Sequence, residues 1–581
     1  MRSALRLAVL VAVAVAAPAV AGVARAAAPP PLRVGHAVVA SDHAQASAAG
    51  VAVLRAGGNA VDAACATALA LGVVHPHASG MGGGGFALVY LAKERRVVAL
   101  DFRERAPEGA RADLYLGKDG DKAGKVDPRL SRKGGLAVAV PGEIRGLGEL
   151  VRRFGKLPFA KCVAPAEKLA RGAARVSWRL AETLSAAAQA SKDGKEPGGD
   201  PLFARLFAAR PAAADETLRR PDLAWTLSRL RAGGPDVFYR GEIADAIVEA
   251  VRGAGGVLTR ADLTGYATAE RKPVEVTYRG LKVLSMPPPS SGGPALAETL
   301  GILAARFPDG ADFTKLGRGS SAHLHVLGEA MKHAFADRAR HLGDPDFVKV
   351  PLDRLLAPEY HAELARRIKD GAVLASNAYG SPEAPADLHR DGGTAHLSVI
   401  DAEGNAVALT TTINLGFGAE LVAGKTGILL NDEMDDFSMQ PGVPNGFGLI
   451  GSAQNAVAPR KRPLSSMSPT VVLEGDRVKM VVGASGGPTI ISATLQVLSN
   501  VIDWKLDVQE AMAAPRIHHQ WFPEVLMLEP DVPRDVSDNL ATRGHKPRQI
   551  PQIGVANAVV RAGDVLEAAS EPRSPSTPAG Y

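Results

Sequence analysis

An α+β protein is what this sequence predicts, and three observations predict it. Helical periodicity dominates Pro141 to about Val251 and again Ala295 to Leu342. Alternating strand patterns occupy Thr394 to Ile400 and Ala406 to Asn414, on either side of the turn Asp401-Ala-Glu-Gly-Asn405. Between these regions lies a polar stretch, Ser376 to Gly393, with Pro, Gly, Ser and Asp and no hydrophobic period. A long mixed portion is thus followed, across a loose segment, by a β-rich portion.

The elements follow in order. Ala40 to Leu71 reads as helical, broken by Gly57-Gly58-Asn59. Phe86–Tyr90 and Val97–Phe102 read as paired strands, and Lys118 to Gly135 as a loop. The helical region after Pro141 is interrupted at Ser191 to Pro201. Val274 to Met286 returns to strand and ends at Pro287-Pro-Pro-Ser-Ser-Gly-Gly293. In the C-terminal portion, Ala395, Leu397 and Val399 share one strand face, and His396 and Ser398 the other. Strands at Thr470–Leu473 and Val478–Ala484 precede a helix from Ile490 to Ile502.

With 581 residues, 46% hydrophobic and 22% charged, the chain can bury a large core. The net charge of +6 is spread along it. Its densest basic run, Arg460-Lys461-Arg462, is too short for a nucleic-acid footprint. Two cysteines, Cys65 and Cys162, form no disulfide framework and no zinc spacing. Residues 1–26 resemble a secretory leader. Arg2 and Arg6 precede an apolar run from Leu7, and Ala24-Arg25-Ala26 offers a cleavage site. An uncleaved anchor is the competing reading, but the run is barely long enough and Pro18 interrupts it. No other stretch is suited to cross a membrane. A secreted, periplasmic protein is expected, without stable membrane insertion or nucleic-acid partners.

Two nucleophiles compete. Gly483-Ala-Ser-Gly-Gly487 fits the strand–Gly-x-Ser-x-Gly–helix elbow of a serine hydrolase, with His518, His519 and His545 further on. The acid should come between Ser485 and the histidine, but the strand–helix alternation of that fold does not surround the motif. Thr394 follows Gly392-Gly393 at the head of a strand. A hydroxyl beside a flexible glycine peptide can cleave that peptide, and the freed α-amine can then act as the general base. Taken alone, a threonine opening a strand is an ordinary β-former.

The surrounding motifs weigh for Thr394. They are Gly57-Gly-Asn-Ala-Val-Asp-Ala63, His75-Pro76, Gly82-Gly-Gly-Gly-Phe86, Asp101-Phe-Arg-Glu104 and Met286-Pro-Pro-Pro-Ser-Ser-Gly-Gly293. Next come Leu342-Gly-Asp-Pro-Asp346, Thr394-Ala-His396 and Gly404-Asn-Ala406. Asn431-Asp-Glu-Met-Asp-Asp-Phe437, Arg462-Pro-Leu-Ser-Ser-Met-Ser-Pro469 and Gly486-Gly487 complete them. In this order they resemble the γ-glutamyltransferase (glutathione hydrolase) family of N-terminal-nucleophile hydrolases, in its bacterial form with a lid loop.

The resemblance implies a four-layer αββα sandwich and cleavage between Gly393 and Thr394. A large chain, residues 27–393, and a small catalytic chain, residues 394–581, would form a heterodimer with one shared core. Thr394 matches the nucleophile, Thr412 a hydroxyl that orients it, and Gly486 and Gly487 the oxyanion donors. Arg103 matches the grip on the substrate α-carboxylate, with Ser465 and Ser466 at the same end. Asn414, Glu433 and Asp436 match the groups around the α-ammonium. The implied substrates are glutathione and other γ-glutamyl compounds, with water, amino acids or dipeptides as acceptors, and no metal or organic cofactor.

Other residues read as structural. Ser290 and Ser291 read as turn residues, His518 and His519 as packing, and Asp337, Arg338 and Asp344 as core ion pairs or caps. The Gly82 cluster lacks the Lys and Ser/Thr of a phosphate loop. Asp432 to Asp436 lacks the alternation of a calcium loop. The chain departs from the family at Ala395, where a second threonine is common, and at Phe447, where the lid often carries a tyrosine. Thr489 stands where bacterial members often have arginine. Phe447 predicts a looser lid, since it cannot donate a hydrogen bond to Asn414. A glutaryl-type (cephalosporin-like) acylase of the same fold is the alternative, disfavoured because its substrate has no amine for Asn414, Glu433 and Asp436. Two further rivals are a non-catalytic binding protein and the Ser485 hydrolase.

Overall fold

The computed structural model describes residues 29–117, 124–192, 213–379, 393–440 and 442–581. The leader 1–26, most of the Ser191–Pro201 break and most of the loose segment before Gly393 lie outside the described residues.

Two seven-stranded sheets, antiparallel at every pairing, form the centre. The first runs Leu32–Val34, Val565–Ser570, Val555–Ala562, Arg477–Ser485, Thr470–Glu474, Leu281–Ser285, Val274–Tyr278. The second runs Ala579–Gly580, Val38–Ser41, Gly393–Ile400, Ala406–Asn414, Gly84–Leu91, Arg96–Phe102, Ala269–Arg271. Each sheet takes strands from both sides of Gly393. The mixed and β-rich portions are therefore one core, not two regions in series, as the resemblance implied.

The sheets stack with helices outside each. Ala395, Leu397, Val399, Val407 and Leu409 share a core with the helices Ala44–Arg55, Ala60–Val74 and Glu143–Phe154. Strands Thr470–Glu474 and Arg477–Ser485 share the other core with Gly292–Arg306, Ser321–His341 and Thr489–Ile502. The fold is the four-layer αββα sandwich expected. The predicted alternation in the Thr394 strand holds. Its second face is buried too, because His396 and Ser398 point at the other sheet: Ser398 Oγ donates to Asn557 O at 3.2 Å, and the His396 ring lies against Gly483.

Two elements differ from their expectations. A short helix, Pro128–Arg132, lies within the stretch expected to be a loop, started by the Asp127 cap on Arg129 N. Val38–Ser41 is a strand rather than the start of a helix, and the first helix begins at Ala44. Val38 and Val39 suit a pleated surface buried on both sides, and four residues are too few for helical periodicity to show. The break at Gly57-Gly58-Asn59 is as read: Asn59 caps the next helix with a reciprocal Asp62 bond. The hairpin turn is pinned to that helix, since Asp401 accepts from Ala60 N at 2.9 Å as well as from Glu403 N and Asn405 N. Turn and helix together fix the strand that carries Thr394. No helix among the described residues is long and apolar enough to cross a membrane. Cys65 and Cys162 are buried free thiols.

Candidate active site

Thr394 lies at the head of its strand, buried and paired across the hairpin with Thr412. The register slips between Gly393 and Thr394, so that Gly393 faces Asn414 and an extra residue bulges on the partner strand. Asn414 takes a positive φ of 77° at the end of this bulge. Gly393 has no room for a side chain: a Cβ would run into Leu415 O and His77 O. The glycine before Thr394 is therefore demanded by packing as well as by the chemistry of the peptide.

The hydroxyls form an ordered set. Thr412 Oγ1 donates to Gly393 O at 2.6 Å and accepts from Asn414 N at 2.8 Å. Its one proton is thereby spent, so the 3.1 Å contact with Thr394 Oγ1 is a bond donated by Thr394. The Thr394 hydroxyl thus sits against the carbonyl group of Gly393 with its proton already directed to Thr412.

Gly486 and Gly487 follow the strand Arg477–Ser485 and open the helix Thr489–Ile502, at φ of 123° and 57°. Their N–H groups donate to no described residue. They sit at the positive end of a helix, which suits a developing anion. Thr489 Oγ1 donates to Gly486 O at 2.6 Å and steadies the loop. Phe447 of the lid packs on Gly487, where a Cβ would come within 2.6 Å of its ring. It is buried, so apolar contact seats the lid here in place of the missing tyrosine hydroxyl.

Asp42 joins the two halves. It accepts from Ser485 Oγ at 2.9 Å, from Asn557 Nδ2 and, at 3.4 Å, from His396 N. One carboxylate therefore ties the residue before Gly486 to a residue two beyond Thr394. Burial pushes it up to about 7, against these three donors. Ser485 thus spends its hydroxyl on Asp42. His518 bonds Ser492 and Gln520, and His545 bonds His325, so no triad forms around Ser485 despite the strand–turn–helix context. Sequence reading missed Asp42 because Ser-Asp-His before a helix looks like a cap.

The second end of the site gathers charges. Arg103 is 1% exposed; its Nη1 donates to Glu433, its Nη2 to Asp436 at 2.5 Å and its Nε to Pro463 O at 3.2 Å. Part of its N–H fork stays free for a further carboxylate. Glu104 stands 3.8 Å from Nη1 and beside Glu433, and burial pushes it up to about 8. Asp432 accepts from Leu415 N only through Oδ1, and burial raises it well above the carboxylate range. Burial thus favours the protonated form of both. Asn414 Nδ2 donates to Asp432 O at 3.0 Å, which leaves its side-chain oxygen for a ligand. Asp435 turns away to Ser131, Arg132 and Gly446. The acidic run thus spreads over separate partners and does not converge as metal ligands would.

Ser465 and Ser466 are held by the 287–293 turn. Ser465 N donates to Pro289 O at 2.8 Å, and Ser465 O accepts from Ser291 N at 2.7 Å and Ser291 Oγ at 2.5 Å. Ser290 Oγ donates to Met467 O. The two turn serines are a clamp, as their structural reading implied. Asp436 also accepts from Asn445 Nδ2 at 3.1 Å, and Asn445 Oδ1 accepts from Phe447 N at 3.0 Å, so this segment links the charged end to the Gly486-Gly487 loop.

Comparison with known proteins agrees with this geometry. Residues 46–581 match the profile of the Gamma-glutamyltranspeptidase family. The glutathione hydrolase proenzyme of Escherichia coli is 41% identical over 94% of this chain and 91% of its own length. That of Pseudomonas aeruginosa is 40% identical over 93% of each. Among solved structures, a cephalosporin acylase from Bacillus halodurans superposes with a TM-score of 0.83 at 29% identity, covering 96% of this chain and 97% of that one. Helicobacter pylori γ-glutamyltranspeptidase, 37% identical, gives 0.53 over 59% of this chain and 96% of that one. A profile match over nearly the whole chain and relatives at this identity leave one conclusion: the chain belongs to the γ-glutamyltranspeptidase family of enzymes.

Proposed function

We propose that the protein is a secreted γ-glutamyltransferase and glutathione hydrolase that matures by cutting itself between Gly393 and Thr394. The carrying observation is the Thr394–Thr412–Gly393 hydrogen-bond set. Thr394 Oγ1 attacks the Gly393 carbonyl carbon while its proton passes to Thr412 Oγ1 and the Thr412 proton to Gly393 O. Collapse breaks the peptide C–N bond, leaves a Gly393–Thr394 ester and frees the Thr394 amine. Water then cleaves the ester. The amine, with a pKa of about 8 in a peptide, becomes the base that the uncut chain lacks.

In turnover Thr394 takes the γ-glutamyl group as an ester and releases the amine of the donor. Water, an amino acid or a dipeptide takes the group from Thr394. Gly486 and Gly487 N–H bear the oxyanion. Arg103 reads the α-carboxylate with Ser465 and Ser466, and Glu433, Asp436 and Asn414 read the α-ammonium. The leader 1–26 supports export to the periplasm, and the mature protein is a heterodimer of residues 27–393 and 394–581.

The similarity to a cephalosporin acylase favours a second reading, a glutaryl acylase. Glu433 and Asp436 oppose it, because a glutaryl group brings no cation to balance them. Two measurements test the proposal. N-terminal sequencing of the smaller fragment is expected to start at Thr394; an intact or differently cut active protein overturns the maturation. Rates on γ-glutamyl and glutaryl anilides are expected to favour the former, and the reverse preference selects the acylase.

A further inference from the structure

Arg338 is a buried guanidinium without a carboxylate. It lies in the helix Ser321–His341, is 5% exposed and, among the described residues, makes one hydrogen bond, from Nε to Ser291 Oγ at 3.0 Å. The other well-buried arginines of this part of the fold do pair: Arg103 with Glu433 and Asp436, Arg462 with Asp101, Arg516 with Glu571. The core ion pair expected for Arg338 is not formed. Asp337 takes Tyr360 Oη, and Asp344 takes the backbone of Arg462 and Asp346. A desolvated guanidinium with spare donors calls for an anion.

Its position says which anion. The acceptor of its one bond, Ser291 Oγ, itself donates to Ser465 O. Asp436 is the carboxylate whose field reaches it, and burial still lowers Arg338 to about 10. Both neighbours belong to the charged end of the site, away from the oxyanion loop. Arg103 there is already engaged by two carboxyl groups, Glu433 and Asp436, so an arriving α-carboxylate meets a guanidinium whose donors are partly spent, and Arg338 is a second buried guanidinium tied to the same end through Ser291 and Ser465.

We propose that Arg338 is a second reader of the α-carboxylate of the γ-glutamyl donor, presenting its free N–H groups to that carboxylate beside Arg103 while its Nε fixes Ser465 through Ser291. This rests on the γ-glutamyl reading of the site. A guanidinium suits the task because one edge can hold the hydroxyl while the fork faces the carboxylate.

The test compares mature wild type, R338Q and R338K on two donors, γ-glutamyl p-nitroanilide and its α-carboxamide. The wild type is expected to prefer the free acid strongly. R338Q is expected to raise KM for the acid by about 30-fold or more and to leave kcat within about threefold. KM for the carboxamide is expected to move little, so discrimination between the donors collapses. R338K, with charge but no fork, is expected to lie between. Equal shifts on both donors, or a loss in kcat alone, would show a purely structural arginine and overturn the proposal. If R338Q does not mature, R338K decides: an unchanged ratio between donors overturns it. A wild type that uses neither donor refutes the γ-glutamyl reading itself, which is a different failure.

Discussion

The two ends of the site are built in opposite ways. At the nucleophile end, Gly393, Thr394, Thr412 and Asn414 lie on one hairpin, and backbone register positions them. At the head-group end, Arg103, Ser291, Arg338, Glu433, Asp436 and Ser465 come from distant stretches of chain and are positioned by one another's charges and hydrogen bonds. The first end is stiff because strand pairing and the Asp401 turn determine it. The second is a balance of charges that a ligand completes. In the proposed reaction, the bond-breaking chemistry is thus placed on backbone and the recognition on side chains.

The largest expected break comes from Thr394→Ala. It removes the hydroxyl proposed to attack the Gly393 carbonyl, so a denaturing gel should show one uncut band and activity should fall by on the order of 10⁴-fold or more. Residual cleavage at Gly393 would place the maturation nucleophile elsewhere.

Gly487→Ala separates maturation from turnover. Its Cβ would come within 2.6 Å of the Phe447 ring, at a φ that side chains adopt reluctantly. Displacement of one proposed oxyanion donor should lower kcat by about 10²-fold. Gly393 O is held by Thr412 and not by this loop, so the fragment pattern should stay normal. An uncut protein would mean that the glycine loop serves both reactions.

Asp42→Asn tests the pin between the Thr394 strand and the Gly486-Gly487 loop. The folded carboxyl sits at about 7, above its ordinary value near 3.8. The folded state therefore holds a proton that the unfolded chain releases between those values. Stability from protonated Asp42 is complete below about pH 4 and is lost as pH rises to about 7. The variant should thus lose less stability than wild type between pH 4 and 7 when Tm is measured across that range. Parallel curves would show that Asp42 does not titrate there.

Phe447→Tyr should have the smallest effect. It restores a hydroxyl to a ring already seated on Gly487, so stability should change little. The ratio of transfer to hydrolysis should move by no more than about threefold, read by supplying a dipeptide acceptor in the same assay. No change in either rate would show that apolar seating alone closes the lid.

These outcomes track what could be read in advance. The hairpin was legible because strand alternation and a turn are local, and Thr394, Thr412 and Asn414 fall at its open end. The helix break at Asn59 was legible for the same reason. Val38–Ser41 was not, since a short strand buried on both faces has no period to display. Ser485 shows the limit of motif reading: strand, turn and helix are all present, yet its hydroxyl belongs to Asp42, which lies far away in the chain. Arg338 shows the converse. In sequence it follows Asp337 on a helix that also carries Arg340 and His341, and nothing local says that Asp337 will take Tyr360 instead.

The sequence by itself determined the strand that bears Thr394, the glycines on which close packing insists, and the ordered motifs of the family. Those depend on local conformation and on residue types at short spacing. The tertiary structure alone decided the interleaving of both sheets across Gly393, the Asp42 pin and the charge balance around Arg103 and Arg338. Each of these depends on which buried groups face one another once water is excluded, and that pairing is a property of the packed chain.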